Sequence, residues 1–556
     1  MTMHIAENPE LIHIYRQFDA EIARQVDRLR SNRQFERELF LPSAAAIAEM
    51  EQKFQSLLEL ADQLPAPGPV FALLKRHFRE FLLGQLSALQ SRFERPGQAI
   101  RGLSSTIDFL LRKDSRSAQE RCELLSIRLS QAAALWSVLH AQLAQTKPEH
   151  LRELVEACHV LGRVALLTRE RLPAFFVGLP PAQLHSLEQA LLQLSENSEM
   201  WARQAERALL ESSGSEEIVA ACDDDTIQLD EEYYRRLLRE ELGVELDHLL
   251  DWFVDEVEKT RSEVFAIASR LNLGGRAPQT MAEVVETLNR HAGPCRMPEE
   301  MFARGREYLA RAKAGCQGYV TLPEESCEIG QVPEIVRTHY PWGGYGGGCP
   351  RRRPLRGEMF LNETNFRAVT DGWLKMMAIH EAYPGHHVQF VRANTDPLPE
   401  TVRMGARSVP LTEGTAHRSE RVFEFVFAED PFYPLFVAYR RHHTSVRIKA
   451  ELYLRYFGRP IKDAVQLYMD ELGFDYATAR GQVKAQELMV GYFNCYYYGL
   501  KRLQDLEQQY GYDQRSFTEL LFSVGRVSLS TFADFLALSE TDKKRLLTEF
   551  PSLVAE

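Results

Sequence analysis

The chain predicts a mostly α fold: a large multi-helix architecture with a small β element just before the residues that carry chemistry. Three observations predict it. Over residues 8 to about 212, Leu, Ala, Gln, Glu and Arg dominate, and apolar residues recur three and four apart. Alternating β-branched runs, which strands need, are scarce there. A single glycine-rich stretch, 343–348, separates two long helical tracts.

In the first tract the stripe Leu125, Leu129, Ala132, Trp136, Leu139 advances by alternating steps of four and three, so all five side chains share one buried helix face. Breaks at Pro65-Ala66-Pro67-Gly68-Pro69, Pro96-Gly97 and Pro180-Pro181 divide the tract into several long, antiparallel helices. Residues 211–217 read as a linker or surface loop, and Asp223-Asp224-Asp225 as a solvated acidic run. Helical periodicity returns from 228 to about 313. Residues 317–364 differ. Gly318–Pro323, Pro341–Gly348 and Gly357–Asn362 read as one or two short strands around a flexible glycine-rich loop. From about 371 to the end the pattern is helical. The chain thus divides into an N-terminal helical region, 1–212, a helical connecting region, 213–316, and a region 317–556 that holds the glycine-rich loop and the motifs below.

Composition narrows the function. Of 556 residues 45% are hydrophobic and 26% charged, with a net charge of -12, the balance of a soluble enzyme. An acidic chain without a basic face argues against nucleic-acid binding. No basic start followed by an apolar run predicts a secretory signal, and no stretch approaches the roughly 20 apolar residues of a membrane span. The eight cysteines, at 122, 158, 222, 295, 316, 327, 349 and 495, form no CxxC pair. Scattered thiols predict a reduced, cytoplasmic protein. Oligomeric state leaves no trace in the sequence.

The chemistry concentrates in His380-Glu381-Ala382-Tyr383-Pro384-Gly385-His386-His387. Zinc hydrolases gather neutral imidazoles and carboxylates around one point and leave a position for water. The usual device is H-E-x-x-H on a helix, with the Glu as general base. Here His380-Glu381 ends a helix that Thr370 or Asp371 can cap and that Trp373, Met376 and Met377 make apolar on one side. Pro384 stands where the second His would fall. On an unbroken helix, at about 100° per residue, His387 and not His386 returns to the face of His380. Pro384-Gly385 makes a widened turn that would present His386 equally available. Spacing leaves the two open. A third ligand candidate is Glu413, 27 residues after His386, on a face shared with His417, Glu420 and Glu424.

These residues resemble the bacterial family called domain of unknown function 885, which is similar in its site to thimet-oligopeptidase-like and thermostable-carboxypeptidase-like helical zinc enzymes. Its signature resembles H-E-x-x-P-G-H, matched by 380–386, followed by E-G-W-A-x-Y-x-E, matched by Glu413, Gly414, Ala416 and Glu420. Thr415 stands for its Trp and Arg418 for its Tyr. In a later R-x-x-x-D-T-G-x-H segment Arg447 fits, while Glu451 and Arg455 take the acid and His positions. Ala464, Tyr468 and Met469 fit a further A-x-x-x-Y-M pattern, and Tyr496 with Gly499 fits a Tyr three residues before a Gly.

The resemblance implies a zinc metallopeptidase-like enzyme in which His380, His386 and Glu413 hold Zn2+. Glu381 then acts as general base and acid in cleaving an amide of a peptide or small amide substrate. Tyr496 is the first candidate to stabilise the oxyanion, with Tyr498 and His387 behind it. His417 steadies Glu413 or touches substrate. Substrate contacts are also expected from Asn362, by strand-edge addition, from Arg447, from the glycine-rich loop as a lid, and from Arg351, Arg352, Arg353 and Arg356 as carboxylate receptors. The competing readings are a zinc hydrolase of a non-peptide amide or ester, and an inactive helical binding protein. A di-iron bundle is excluded, because Glu420, Glu424, His442 and His443 lack paired Glu-x-x-His spacing.

Overall fold

Helix boundaries follow the sequence's own punctuation in this computed structural model, which describes residues 9–29, 38–213, 223–271, 276–333, 337, 342–348 and 353–550. Ser43 accepts a hydrogen bond from Ala46 N and opens Ala44–Gln63. Ser117 and Glu120 form a reciprocal capping box at the start of Ala118–His140. The proline breaks separate Ala44–Gln63 from Pro69–Glu94, Pro69–Glu94 from Gly97–Arg112, and Pro148–Phe175 from Pro181–Ser213. The five-residue stripe is buried along its whole length. Trp136 stacks on Trp201 of Pro181–Ser213 at 5.1 Å, and its indole N–H donates to Gln204 Oε1 at 2.8 Å. Each Leu so buried contributes roughly 1.5–3 kcal/mol.

Three apolar clusters result. One joins the helices Pro9–Leu29, Ala44–Gln63 and Pro69–Glu94 to Met404 and Phe550. A second fills the helices between Gly97 and Ser213. The third joins Leu73 to residues between Tyr234 and Leu538, with members on both sides of residue 316, and it surrounds the site.

The small sheet has three strands: β1 (Glu328–Gln331), β2 (Gly343–Gly346) and β3 (Glu358–Leu361), in the order β1-β3-β2. β1 runs parallel to β3, and β2 antiparallel to it, with Gly343 opposite Leu361 and Gly346 opposite Glu358. This corrects the sequence expectation of a flexible loop at 343–348, since most of that stretch is strand. Glycine is a poor strand former. Its neighbours fix the register instead: Trp342 stacks on Trp373 at 4.6 Å, and the Tyr345 hydroxyl lies 3.2 Å from His387 Nδ1. The helix Asp371–Met377 starts just beyond β3, capped by Thr370 as expected. No helix among the described residues is long and apolar enough to cross a membrane. The six described cysteines are free and buried.

Candidate metal centre

The helix Asp371–Met377 does not continue as a regular helix. Tyr383 N bonds back to Ala378 O at 2.9 Å, five residues away, so residues Ala378–Ala382 form a single π turn. Such widened turns recur at functional sites. The Tyr383–Pro384 peptide bond is cis, and a new helix, His386–Thr395, begins immediately after Gly385. A Cβ at Gly385 would lie 1.8 Å from His380 O. Only glycine lets the chain double back this tightly, and the reversal sets the His386 ring against that of His380, centroids 4.9 Å apart. His386 is therefore the imidazole that the turn delivers beside His380. His387 faces the other way, with Nδ1 3.2 Å from the Tyr345 hydroxyl and Nε2 2.9 Å from Glu325 O.

Glu413, on the helix Val409–Val422, completes the group. Its Oε2 is 3.6 Å from His380 Nε2 and 3.5 Å from His386 Nε2. Its Oε1 accepts the Tyr492 hydroxyl at 2.8 Å. Oε2 is buried and has no hydrogen-bond partner among the described residues. A buried carboxylate oxygen of this kind, beside two imidazole nitrogens, is a donor set that fits a divalent cation. Ligand atoms on a tetrahedral zinc with arms of about 2.1 Å stand about 3.4 Å apart, close to both separations. Glu381 also offers a ligand atom, lying with those of His380 and His386 within 4.8 Å of one another. Glu381 is half-buried and unanchored, whereas Glu413 is 6% exposed and held by Tyr492. Anchorage and burial thus distinguish the two carboxylates: Glu413 is fixed beside the imidazoles, and Glu381 is not.

Both imidazoles are aimed from behind. Glu420 Oε1 is 2.7 Å from His380 Nδ1, and His386 Nδ1 is 2.9 Å from Gln389 Oε1. Each Nδ1 therefore donates, and each Nε2 is turned toward Glu413, where it becomes a lone-pair donor only once its proton is lost. Gln389 in turn donates to Thr412 O at 3.1 Å. The other Glu420 oxygen is 3.0 Å from His417 Nδ1, and His417 Nε2 is 2.8 Å from Thr444 Oγ1. His417 thus acts on the site through Glu420, not through Glu413. Gly414 and Gly499 bring the backbones of Val409–Val422 and Asn494–Tyr510 together, since a Cβ at Gly414 would lie 2.4 Å from Gly499 C. This crossing sets Glu413 beside Tyr492 and Tyr496. The Tyr496 ring lies parallel to that of His380 at 6.1 Å, and its hydroxyl is 3.4 Å from that of Tyr492.

The charges interlock. Burial alone would pull the His380 imidazole down, but Glu413 and Glu420 raise it to about 10. Burial would raise the Glu413 carboxyl, yet His386 and His380 hold it well below its usual range. Glu420 is likewise held down, burial being outweighed by His417 and His380.

The family described as "Bacterial protein of unknown function (DUF885)" matches residues 11–535. The chain belongs to this family. No functionally curated protein matches it. Two solved structures share the fold, each described as a "putative lipoprotein". The one from Colwellia psychrerythraea has a TM-score of 0.75 at 16% identity, over 95% of this chain and 98% of that one. The one from Shewanella oneidensis, of unknown function, has 0.73 at 15% identity, over 94% and 100%.

At three positions where this DUF885 chain departs from the signature, packing explains the substitution; nothing in the structure explains Thr415. Arg418 donates to Glu507 Oε2 and Thr518 Oγ1, both at 3.0 Å, and lies over the Phe517 ring. Glu451 accepts from Gly491 N at 2.8 Å and Gln486 Nε2 at 2.9 Å, which pins the turn that carries Tyr492. Arg455 donates to the carbonyls of Ile227, Gln486 and Glu487.

Three of the expected oxyanion and substrate residues, Tyr498, Asn362 and His387, are placed elsewhere. Tyr498 is occupied by Glu245 N at 3.3 Å and His248 Nδ1 at 3.2 Å. Asn362 follows the central strand β3, so it offers no free edge. Its Oδ1 accepts from Thr364 N, Thr364 Oγ1 and Asn365 N, and its Nδ2 donates to Arg337 O, the bonds of a turn residue. His387 is committed to Tyr345 and Glu325, as above. Arg351 and Arg352 lie outside the described residues, Arg353 donates to Asn394 O at 2.9 Å, and Arg356 is exposed. Arg447 does reach the site, 5.3 Å from the Tyr496 ring centroid. Tyr492 was missed, although its spacing of four from Tyr496 was the available signal.

Proposed function

We propose that this chain is a zinc-dependent hydrolase that cleaves amide bonds of peptides. The observation that carries the reading is the partnerless Glu413 Oε2 set 3.6 and 3.5 Å from the Nε2 atoms of His380 and His386. His380, His386 and Glu413 would hold the ion, which when bound supplies a Lewis acid and a water acidified toward a pKa of ~7. Glu381 takes the proton from that water and delivers it to the departing amine. Tyr496, parallel to His380, donates its hydroxyl to the oxygen on which negative charge develops. Burial raises that phenol's pKa, so it stays protonated and able to donate. Glu420 and Gln389 keep the imidazoles aimed. Ligands and base borne on successive helices also support a metallopeptidase-like fold. The same machinery would serve a non-peptide amide or ester, and the substrate screen below separates these. We place the reaction in the cytoplasm on the free thiols; the lipoprotein descriptions of the solved relatives favour the cell envelope instead, and fractionation distinguishes the two.

The test is metal content alongside hydrolysis of a mixed peptide library. Purified protein is expected to carry about one zinc and to cut a subset of the library. A chelator should abolish both, and added zinc should restore both. Protein that takes up no zinc, or that holds it and cuts nothing, would overturn the reading.

The charge network adds a pH prediction. In the metal-free protein, stability from His380 is complete below its ordinary 6.5 and is lost as pH rises through about 10. Stability from Glu413 and Glu420 is complete above their ordinary 4.5 and is lost as pH falls. This cluster therefore favours the metal-free fold most between 4.5 and 6.5. Zinc requires neutral imidazole, so zinc added at pH 8 is expected to release about one proton per chain. Calorimetry in two buffers of different ionisation enthalpy reads the release, and zinc uptake without proton exchange would contradict it.

A further inference from the structure

Of the three buried arginines on the helix Tyr433–Arg455, two lie two turns apart, Arg440 and Arg447, each 5% exposed. Both face Tyr496. The Arg440 guanidinium lies 5.6 Å from its ring centroid and 5.4 Å from that of Trp373. Arg447 lies 5.3 Å from Tyr496 and 4.8 Å from Phe493. Neither forks a carboxylate. The acid beside Arg440 is Glu420, whose Oε1 stands 4.0 Å from Nε and is already engaged at 2.7 Å by His380. Arg440 Nε and Nη1 are buried without a hydrogen-bond partner among the described residues. Arg447 donates to a neutral group, Gln482 Oε1, at 3.2 Å.

Burying a guanidinium without an anion is costly, and burying two side by side more so. Stacking on aromatic faces offsets only part of that cost. Trp373, Phe493 and Tyr496 are all half-buried, so the rings that flank the two arginines reach solvent. The two guanidiniums, short of hydrogen-bond acceptors, thus stand behind partly exposed aromatic rings, next to the ring that lies over His380. Planar, fixed N–H forks of this kind match a carboxylate's two oxygens.

We infer that Arg440 and Arg447 form a subsite for the free α-carboxylate at the end of a peptide, so that hydrolysis releases residues from the carboxyl terminus. This rests on the zinc-hydrolase reading. Reach favours the terminal group over an acidic side chain farther along. The two guanidiniums stand 5.6 and 5.3 Å from the ring centroid of Tyr496, the proposed oxyanion donor. That span corresponds to about one or two extended residues at ~3.3–3.6 Å each.

The test uses a protein that binds without cutting. Zinc-loaded Glu381→Gln protein, and the same protein after chelation, are ultrafiltered with equimolar N-acetylated hexapeptide libraries. One library has free carboxyl termini, the other is amidated, and both lack Asp and Glu. Mass spectrometry counts what is retained. Free acids are expected to be enriched about tenfold in both states, the gain of a charge-assisted fork. The chelated arm excludes simple ligation of zinc by the carboxylate. Arg440→Gln or Arg447→Gln should reduce the enrichment to near parity, and Arg440→Lys, which keeps charge but loses the fork, should restore part of it. Equal retention of acids and amides, or enrichment unchanged by both Gln variants, would overturn the subsite. An amidated library that contains Asp and Glu, retained as well as the free acids, would overturn the terminal assignment. Acid-selective binding in a wild-type protein that never hydrolyses would sink the hydrolase reading alone. Hydrolysis of acids and amides alike, with no acid retention, would sink the subsite alone.

Discussion

Glu381→Gln protein is expected to bind zinc as the parent does and to lose roughly 10²–10⁴-fold in kcat/KM. At 1.36 kcal/mol per decade that is about 2.7–5.4 kcal/mol of transition-state stabilisation. The substitution keeps the side chain's size and removes its capacity to take a proton. Two nearby carboxylates divide the labour in this reading. Glu413 is buried, tied to Tyr492 and presents an orphaned oxygen between two imidazoles. Glu381 sits in the π turn, half-buried, close enough to the same imidazoles to hand a proton across but held by no anchor. Metal analysis and steady-state kinetics on one preparation decide the matter. Loss of zinc from Glu381→Gln would make Glu381 a ligand and reverse the two roles. Retained activity would remove Glu381 from the proton path.

Periodicity made the helices legible, because a stripe such as Leu125 to Leu139 has one face to bury and one way to bury it. The grouping of the candidate site was legible in part. His380, Glu381 and Glu413 lie where motif spacing put them, and so does Tyr496. What spacing could not convey was a backbone that leaves the ideal helix. A π turn followed by Gly385 shifts every later side chain, which is why His386 and His387 were equivalent in the sequence and are opposite in space. Asn362 read as a strand-edge group because nothing local reveals that β3 is central. The glycines of β2 read as a loop because their strand is imposed by Trp342 and Tyr345, not by their own preference. Arg440 drew no attention, since a charged residue at helical spacing ordinarily faces water. Its burial is decided by Trp373 and Tyr496, 67 and 56 residues away along the chain. Glu420 showed as one more acid on a polar helix face, and only the fold places it behind His380.

His386→Ala and His387→Ala are expected to separate completely. His386→Ala removes one of the three proposed ligands, and zinc that survives purification in the parent should be absent. His387→Ala should keep zinc within about tenfold of the parent's affinity, below the 10–100-fold cost typical when a ligand's own hydrogen-bond partner is removed. Its penalty falls on stability. The imidazole is fully buried between the Tyr345 hydroxyl and Glu325 O, and alanine leaves both without their partner. Unsatisfied buried groups cost about 1–3 kcal/mol. The expected pattern is thus a metal-free but folded His386→Ala and a zinc-bound His387→Ala that melts lower. Zinc titration and thermal melts on the two proteins read both axes independently. The opposite pattern would mean that the segment behaves as an unbroken helix at about 100° per residue, with His387 on the face of His380. That geometry requires Pro384 and Gly385 to continue a helix, and the 1.8 Å approach of a Gly385 Cβ to His380 O shows how far the chain has turned from it.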